Sequence, residues 1–184
     1  DEFGRTISRT VNVDGNTNAF LYSGAGIPIL GRKIEFRPEL NASFNRFTSY
    51  ILGEENVTNN YGITPALNID FNLLGDSLEL GIKTSYSFNN AVSSLNGTTT
   101  PYSIENYGGY AEWRLPNGWG VGTDATFTRN VQPGGGFFNT SFFVLNAEVS
   151  KKFLKTQNLM ISIVGNDILN QNINARREIN GNIV

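Results

Sequence analysis

From Ile34 onward the chain alternates. Ile34, Phe36, Leu40, Ala42 and Phe44 hold one parity, and Glu35, Arg37, Glu39, Asn41, Ser43 and Asn45 hold the other. Successive side chains of an extended chain point to opposite sides, so this predicts a strand with one apolar and one polar face. The same period returns in residues 67–73, 78–88, 110–115, 121–130, 143–150 and 159–163, and more weakly in 5–13 and 18–23. That predicts about nine strands, many of about ten residues, where globular strands usually have about 5–6. No segment sustains a helical spacing; Asp167-Ile168-Leu169-Asn170 alone suggests a short helical turn.

The connections read as short and long in turn. Gly75-Asp76, Pro116-Asn117-Gly118 and Lys155-Thr156-Gln157 are tight turns by their residue types. Residues 53–60, 89–100 and 131–136 read as longer polar loops. Pro38 and Pro65 fall inside strands, where each lacks a ladder donor and predicts a bulge or local defect.

Two architectures produce such alternation. A soluble β-sandwich turns its apolar face inward, whereas a membrane barrel turns it toward lipid and closes the sheet so that every backbone group is bonded. Strand length favours the barrel, since crossing the hydrocarbon at a tilt takes about 9–11 residues. So do aromatic residues at both ends of the apolar face. Tyr50, Tyr61, Tyr86, Phe88, Phe127 and Phe137 lie toward the long-loop end; Trp113, Trp119 and Phe153 lie toward the tight-turn end. Amphipathic rings at both borders of an apolar band form the interface girdles of membrane barrels. The expected fold is an all-β, antiparallel up-and-down transmembrane β-barrel, present as a partial barrel in a single segment, 1–184. Lys151 shares the lipid-facing parity but stands near a strand end, where it can snorkel to the interface; Arg46 and Arg129 do the same at the loop end.

Composition narrows the chemistry. The 184 residues include 25 Asn, 20 Gly and 13 Phe, with no Cys, no His, only 16% charged residues and a net charge of −2. Without Cys or His there is no disulfide framework, no thiolate nucleophile, no imidazole base and no Cys or His metal ligand. No Lys/Arg cluster offers a phosphate-binding surface, which argues against a nucleic-acid partner. No cofactor or metal site is expected, and no enzymatic role.

The remaining candidate chemistry lies on the polar parity. Glu35, Arg37, Glu39, Glu79, Lys83, Glu112, Arg114, Asp124 and Glu148 would all face a hydrated lumen. They would either contact a solute or hold the wall together through cross-strand ion pairs and hydrogen bonds. A Glu35/Glu39 acid–base dyad has nothing in the sequence to set two different pKa values. Gly24-Ala25-Gly26 precedes no helix and is no phosphate loop.

Several stretches resemble one family. Val149 through Leu154, Leu159 through Val164, the run Asn166-Asp167-Ile168-Leu169-Asn170-Gln171 and the pair Arg176-Arg177 resemble the end of the outer-membrane β-barrel family of TonB-dependent-receptor-like proteins of Bacteroidota. Leu40 through Arg46 and Val11 through Gly15 resemble it as well. The resemblance implies a barrel of about 22 strands, plugged by an N-terminal domain, in the outer membrane of a Gram-negative bacterium. It implies nutrient or ligand uptake, with outer-membrane lipid, a plug domain, an energy-coupling protein or a surface lipoprotein as partners. The chain is then expected to be the C-terminal part of such a barrel without its plug. A non-transporting structural barrel subunit of an assembly or secretion complex is the alternative, and a soluble β-sandwich binding module the second.

Overall fold

The computed structural model describes residues 14–133, 139–153 and 159–172. Nine strands form one antiparallel sheet: β1 (Thr17–Gly24), β2 (Ile27–Ile29), β3 (Ile34–Ile51), β4 (Glu54–Leu73), β5 (Leu78–Ser93), β6 (Thr99–Leu115), β7 (Trp119–Val131), β8 (Thr140–Phe153) and β9 (Leu159–Gly165). From β3 to β9 each strand pairs with the next, and β1 and β2 both pair with β3. Among the described residues the sheet is a single layer and is not closed, because β1 and β9 do not pair with each other.

Successive hairpins are offset in a regular way. Followed through its paired residues, the row that starts at Ile34 runs through Phe71, Leu80, Ala111, Thr123, Ala147 and Gly165. The β4–β5 hairpin closes at Leu73↔Leu78, two residues beyond that row. The β6–β7 hairpin closes at Leu115↔Trp119, four residues beyond it, and β8–β9 at Phe153↔Leu159, six beyond it. The offset is one residue per strand. With about 3.3 Å of rise per residue and about 4.8 Å between strands, the strands incline by roughly 35° to the perpendicular of the line of turns.

Most of the expected long loops at 53–60 and 89–100 is strand instead, and a loop of residues 94–98 is all that remains of the second. β3 and β4 are joined by Leu52-Gly53 alone, both at positive φ (52° and 90°), the geometry of a two-residue type I′ hairpin. β5 runs on to Ser93 and β6 starts at Thr99. These extensions carry no apolar alternation because they hold together by polar contacts. Asn56, 2% exposed, accepts from Ser93 Oγ (2.7 Å) and from the Leu95 N–H (3.3 Å), and its amide donates to Thr58 Oγ1 (3.3 Å). The third expected loop and the 155–157 turn extend outside the described residues, as does the segment 5–13.

Neither proline makes a bulge. Pro38 stands opposite Ala25 with the pairing of β1 and β2 in one continuous register, so the defect is a single missing rung. The Ala25 N–H still donates to the Pro38 carbonyl (3.1 Å). Pro65 interrupts the β4–β5 ladder between Ile63↔Phe88 and Ala66↔Ser85, again with no change of register. The expected helical turn at Asp167–Asn170 is a non-helical turn. The Asp167 carboxylate accepts the Gln171 and Asn172 N–H groups at 3.0 and 3.1 Å, which folds the chain back after β9.

Paired residues share a face, so the register sorts every strand residue. One face carries Ile34, Phe36, Leu40, Ile63, Leu67, Ile69, Phe71, Leu80, Ile82, Val121, Leu145 and Val149 in one continuous apolar field. Of these, Ile63, Ile82, Val121 and Val149 are 41–53% exposed, and Ile163 of β9, on the same face, is 77% exposed. Among the described residues Ala91 is the sole buried hydrophobic, whereas Asn56, Thr58, Asp70, Ser103 and Asn130 are buried polar groups. Leu80, Phe71 and Leu145 are half-buried and Val121 is exposed; they do not meet in a dry interior. The usual burial order is inverted.

Candidate functional site

All nine charged residues read from the sequence fall on the polar face by register: Glu35, Arg37 and Glu39 on β3, Glu79 and Lys83 on β5, Glu112 and Arg114 on β6, Asp124 on β7 and Glu148 on β8. Glu35 and Glu39, four residues apart on one strand, stand about 13 Å apart, too far for a carboxylate dyad.

Their centre is Tyr110. A Cβ added to Gly81, its cross-strand partner, would collide with the Tyr110 ring, so the ring lies flat in the space that this glycine leaves. From there the Tyr110 hydroxyl reaches Asp70 Oδ1 (2.7 Å) and Glu79 Oε1 (2.8 Å). It carries one proton and donates to one carboxylate at a time. Arg37 forms an ion pair with Asp70, and Arg114 approaches Glu79 at 3.8 Å, so positive charge flanks both carboxylates. Lys83 Nζ stands 4.7 Å from the ring centroid, over the aromatic face, where the ring quadrupole attracts a cation. Asn68 donates to Glu39 Oε1 (3.3 Å) and Asn146 to Asp124 Oδ2 (3.0 Å). Among the described residues Glu35, Glu112 and Glu148 have no ion-pair partner.

Beside this cluster lies a groove of about 440 Å³ that Arg37 of β3 and Val164 of β9 both line. Flat, those strands would stand about 29 Å apart, so the groove runs across the polar face over most of the sheet's width. Lys83 stands on one side of the groove and Glu112, Asp124 and Glu148 on the other.

The opposite face carries the interface aromatics expected from the sequence. Tyr50, Tyr61, Tyr86, Phe88, Trp113, Trp119, Phe127 and Phe153 all share the apolar face by register; Phe137 lies outside the described residues. Trp113 and Trp119 are each 48% exposed at the turn end. Lys151 Nζ bonds the Asn117 carbonyl (2.6 Å) and sits 4.8 Å from the Trp119 ring centroid, so the ammonium reaches past the band to the turn while its stem lies on the apolar face. Arg129 faces Glu105 at 3.7 Å, above the band.

Three further aromatics of that face were not read from the sequence as interface residues. Phe44, Tyr107 and Phe143 stand level with Tyr61 and Phe127, their direct partners. Phe44 and Tyr61 pack with centroids 5.2 Å apart. Asp70 and Tyr110 were likewise missed as site residues. Their parity is visible in sequence, but the contact between them needs the register that sets Tyr110 against Gly81. Comparison with protein-family models, curated proteins and solved structures finds no match to this chain.

Proposed function

We propose that this chain is the wall of an outer-membrane β-barrel, with its apolar face against lipid and its charged face toward a hydrated interior. One observation carries the reading: the height of the apolar band. From β3 to β8, Phe44, Tyr61, Phe88, Tyr107, Phe127 and Phe143 mark its upper border. Each stands eight to twelve residues from the turn end of its strand, at Ile34, Leu73, Leu78, Leu115, Trp119 and Phe153 respectively. At about 3.3 Å per residue and an inclination of roughly 35°, that is about 22–32 Å, against an apolar band of about 25 Å in membrane barrels. Within these limits the face bears one charge, Lys151, whose ammonium is drawn to the turn.

The resemblance to TonB-dependent-receptor-like proteins supports uptake or capture of a nutrient as the role, with the polar face meeting solute or a plug domain. The residues here supply wall and surface rather than chemistry. The test is expression with an export signal in a Gram-negative host, followed by reconstitution with phospholipids brominated at known depths. Trp113 and Trp119 are expected to be quenched most strongly by bromines near the headgroup. A protein recovered in the soluble periplasmic fraction, with tryptophans that no brominated lipid quenches, would sink the reading.

A further inference from the structure

We infer that the groove on the polar face between β5 and β8 binds a short extended peptide with free termini. The inference rests on the barrel reading only in requiring that this face be hydrated. Most charges here neutralise one another in place. Arg37 is taken by Asp70, and Arg114 and the Tyr110 hydroxyl by Glu79. What the groove keeps uncompensated is separated by sign. Lys83 has no ion-pair partner among the described residues and leans over the Tyr110 ring. On the other side, among the described residues, Glu112 and Glu148 also have none, and Asp124 accepts from the Asn146 amide.

These carboxylates are arranged around a gap. Glu112 of β6 and Glu148 of β8 are both register partners of Gly122 on β7, so no side chain stands between them. An ammonium entering that gap meets two carboxylates, with Asp124 one step along β7. Lys83 lies two strands and one same-face step from Asp124, about 12 Å between backbones, and about 14 Å from Glu112 and about 20 Å from Glu148. With the side chains leaning in, this matches a molecule whose charges stand roughly 7–11 Å apart, the reach of an extended tripeptide. The amine belongs in the gap at Gly122 and the carboxylate beside Lys83. A neutral oligosaccharide fits the volume but leaves both sets of charges unanswered, at the cost of desolvating them.

The probe is Ala-Ala-Ala, titrated calorimetrically into the full chain in detergent micelles, with N-acetyl-Ala-Ala-Ala-amide and maltotriose as comparators. Saturable binding of the free tripeptide is expected, with the blocked peptide at least about tenfold weaker, as loss of charge-assisted contacts requires. The Glu112→Gln/Glu148→Gln double variant and Lys83→Gln should each weaken the free tripeptide by a similar factor and leave the blocked peptide unchanged. Gly122→Val should remove binding by filling the gap. A Cβ there meets nothing nearer than Glu148 Cβ at 3.9 Å, and circular dichroism checks that the two further methyls of valine leave the fold intact. Equal binding of the blocked peptide or of maltotriose, indifference to Gly122→Val, or no saturable heat up to about 10 mM peptide overturns the inference. Membrane association without binding would sink the peptide site alone, and binding by a soluble protein would sink the barrel reading alone.

Discussion

Arginine at Ile82 separates a lipid-facing surface from a water-facing one. Ile82 is 53% exposed on the apolar face of β5, four residues from Leu78 at the turn end and six from Phe88 at the upper border. At the inclination worked out above, these are about 11 and 16 Å of height, so the side chain stands near the middle of the band. If lipid covers this face, Ile82→Arg places a guanidinium near the bilayer centre, at a cost of about 2–4 kcal/mol. If water covers it, an exposed isoleucine gives way to an exposed arginine at within about 0.5 kcal/mol. The control is Val92→Arg. Val92 shares the face and the strand but stands in the row of Asn59 and Arg46, above the band, where the lipid cost falls to about 0–1 kcal/mol. Both variants are to be unfolded with urea from short-chain phosphatidylcholine vesicles, read by tryptophan fluorescence. With a slope of about 2 kcal/mol per molar urea, the expected loss at Ile82 is a midpoint lowered by about 1–2 M, against less than about 0.5 M at Val92. Equal midpoints for the two variants would refute the argument from height. An Ile82→Arg protein as stable as the wild type would refute the argument from lipid.

Three further outcomes follow from the geometry. Gly81→Ala should cost about 2–3 kcal/mol by driving Tyr110 off Asp70 and Glu79, and less than about 1 kcal/mol when Tyr110→Ala is already present; a double-mutant cycle in urea reads the coupling, and additive losses would contradict the contact. Leu52→Asn should raise stability by about 0.5–1 kcal/mol, because leucine at φ 52° occupies a left-handed position that asparagine accepts; an unchanged midpoint would argue against the two-residue hairpin. Pro38→Ala should create an amide protected from hydrogen exchange, since the restored N–H faces Ala25 across an intact register; an amide exchanging at the free-chain rate would show that the ladder does not continue there.

Legibility in the sequence followed the apolar band. Inside it, parity alone put Glu35, Lys83, Glu112 and Glu148 on one side and Phe71, Leu80 and Trp113 on the other, because one buried or lipid-facing side forces a period of two. Outside it the signal vanished. Glu54 through Asn60 carries no alternation, and its strand exists because the ladder and the Asn56 side chain hold it. Where neither face of a strand is apolar, no hydrophobic period marks it. Register was also out of reach. Pro38 and Pro65 were expected to make a bulge or a local defect, and the register decides for the defect, since a missing N–H removes a rung and inserts no residue. The Tyr110 cluster depends on that same register, as it joins residues of β4, β5 and β6 that no local pattern links.

The strongest reason to treat the two faces as meeting different solvents is where each places its charges. On the polar face they crowd into the turn-end half of the band, from Glu79 and Arg114 up through Glu39 and Lys83, the interval in which the apolar face bears only Lys151. On the apolar face the charged strand residues are Arg46, Glu55, Glu105, Arg129 and Lys151, every one of them above the aromatic border or reaching past the turn end. Those two limits are also slanted together. From Phe44 on β3 to Phe143 on β8 the upper border descends by about one residue per strand, in step with the line of turns. A second sheet laid on this face would protect the rows it covers, and nothing in its packing would oblige that cover to keep step with the turns. A slab of constant thickness crossed by inclined strands does oblige it, because each strand then enters and leaves the slab one residue later than its neighbour.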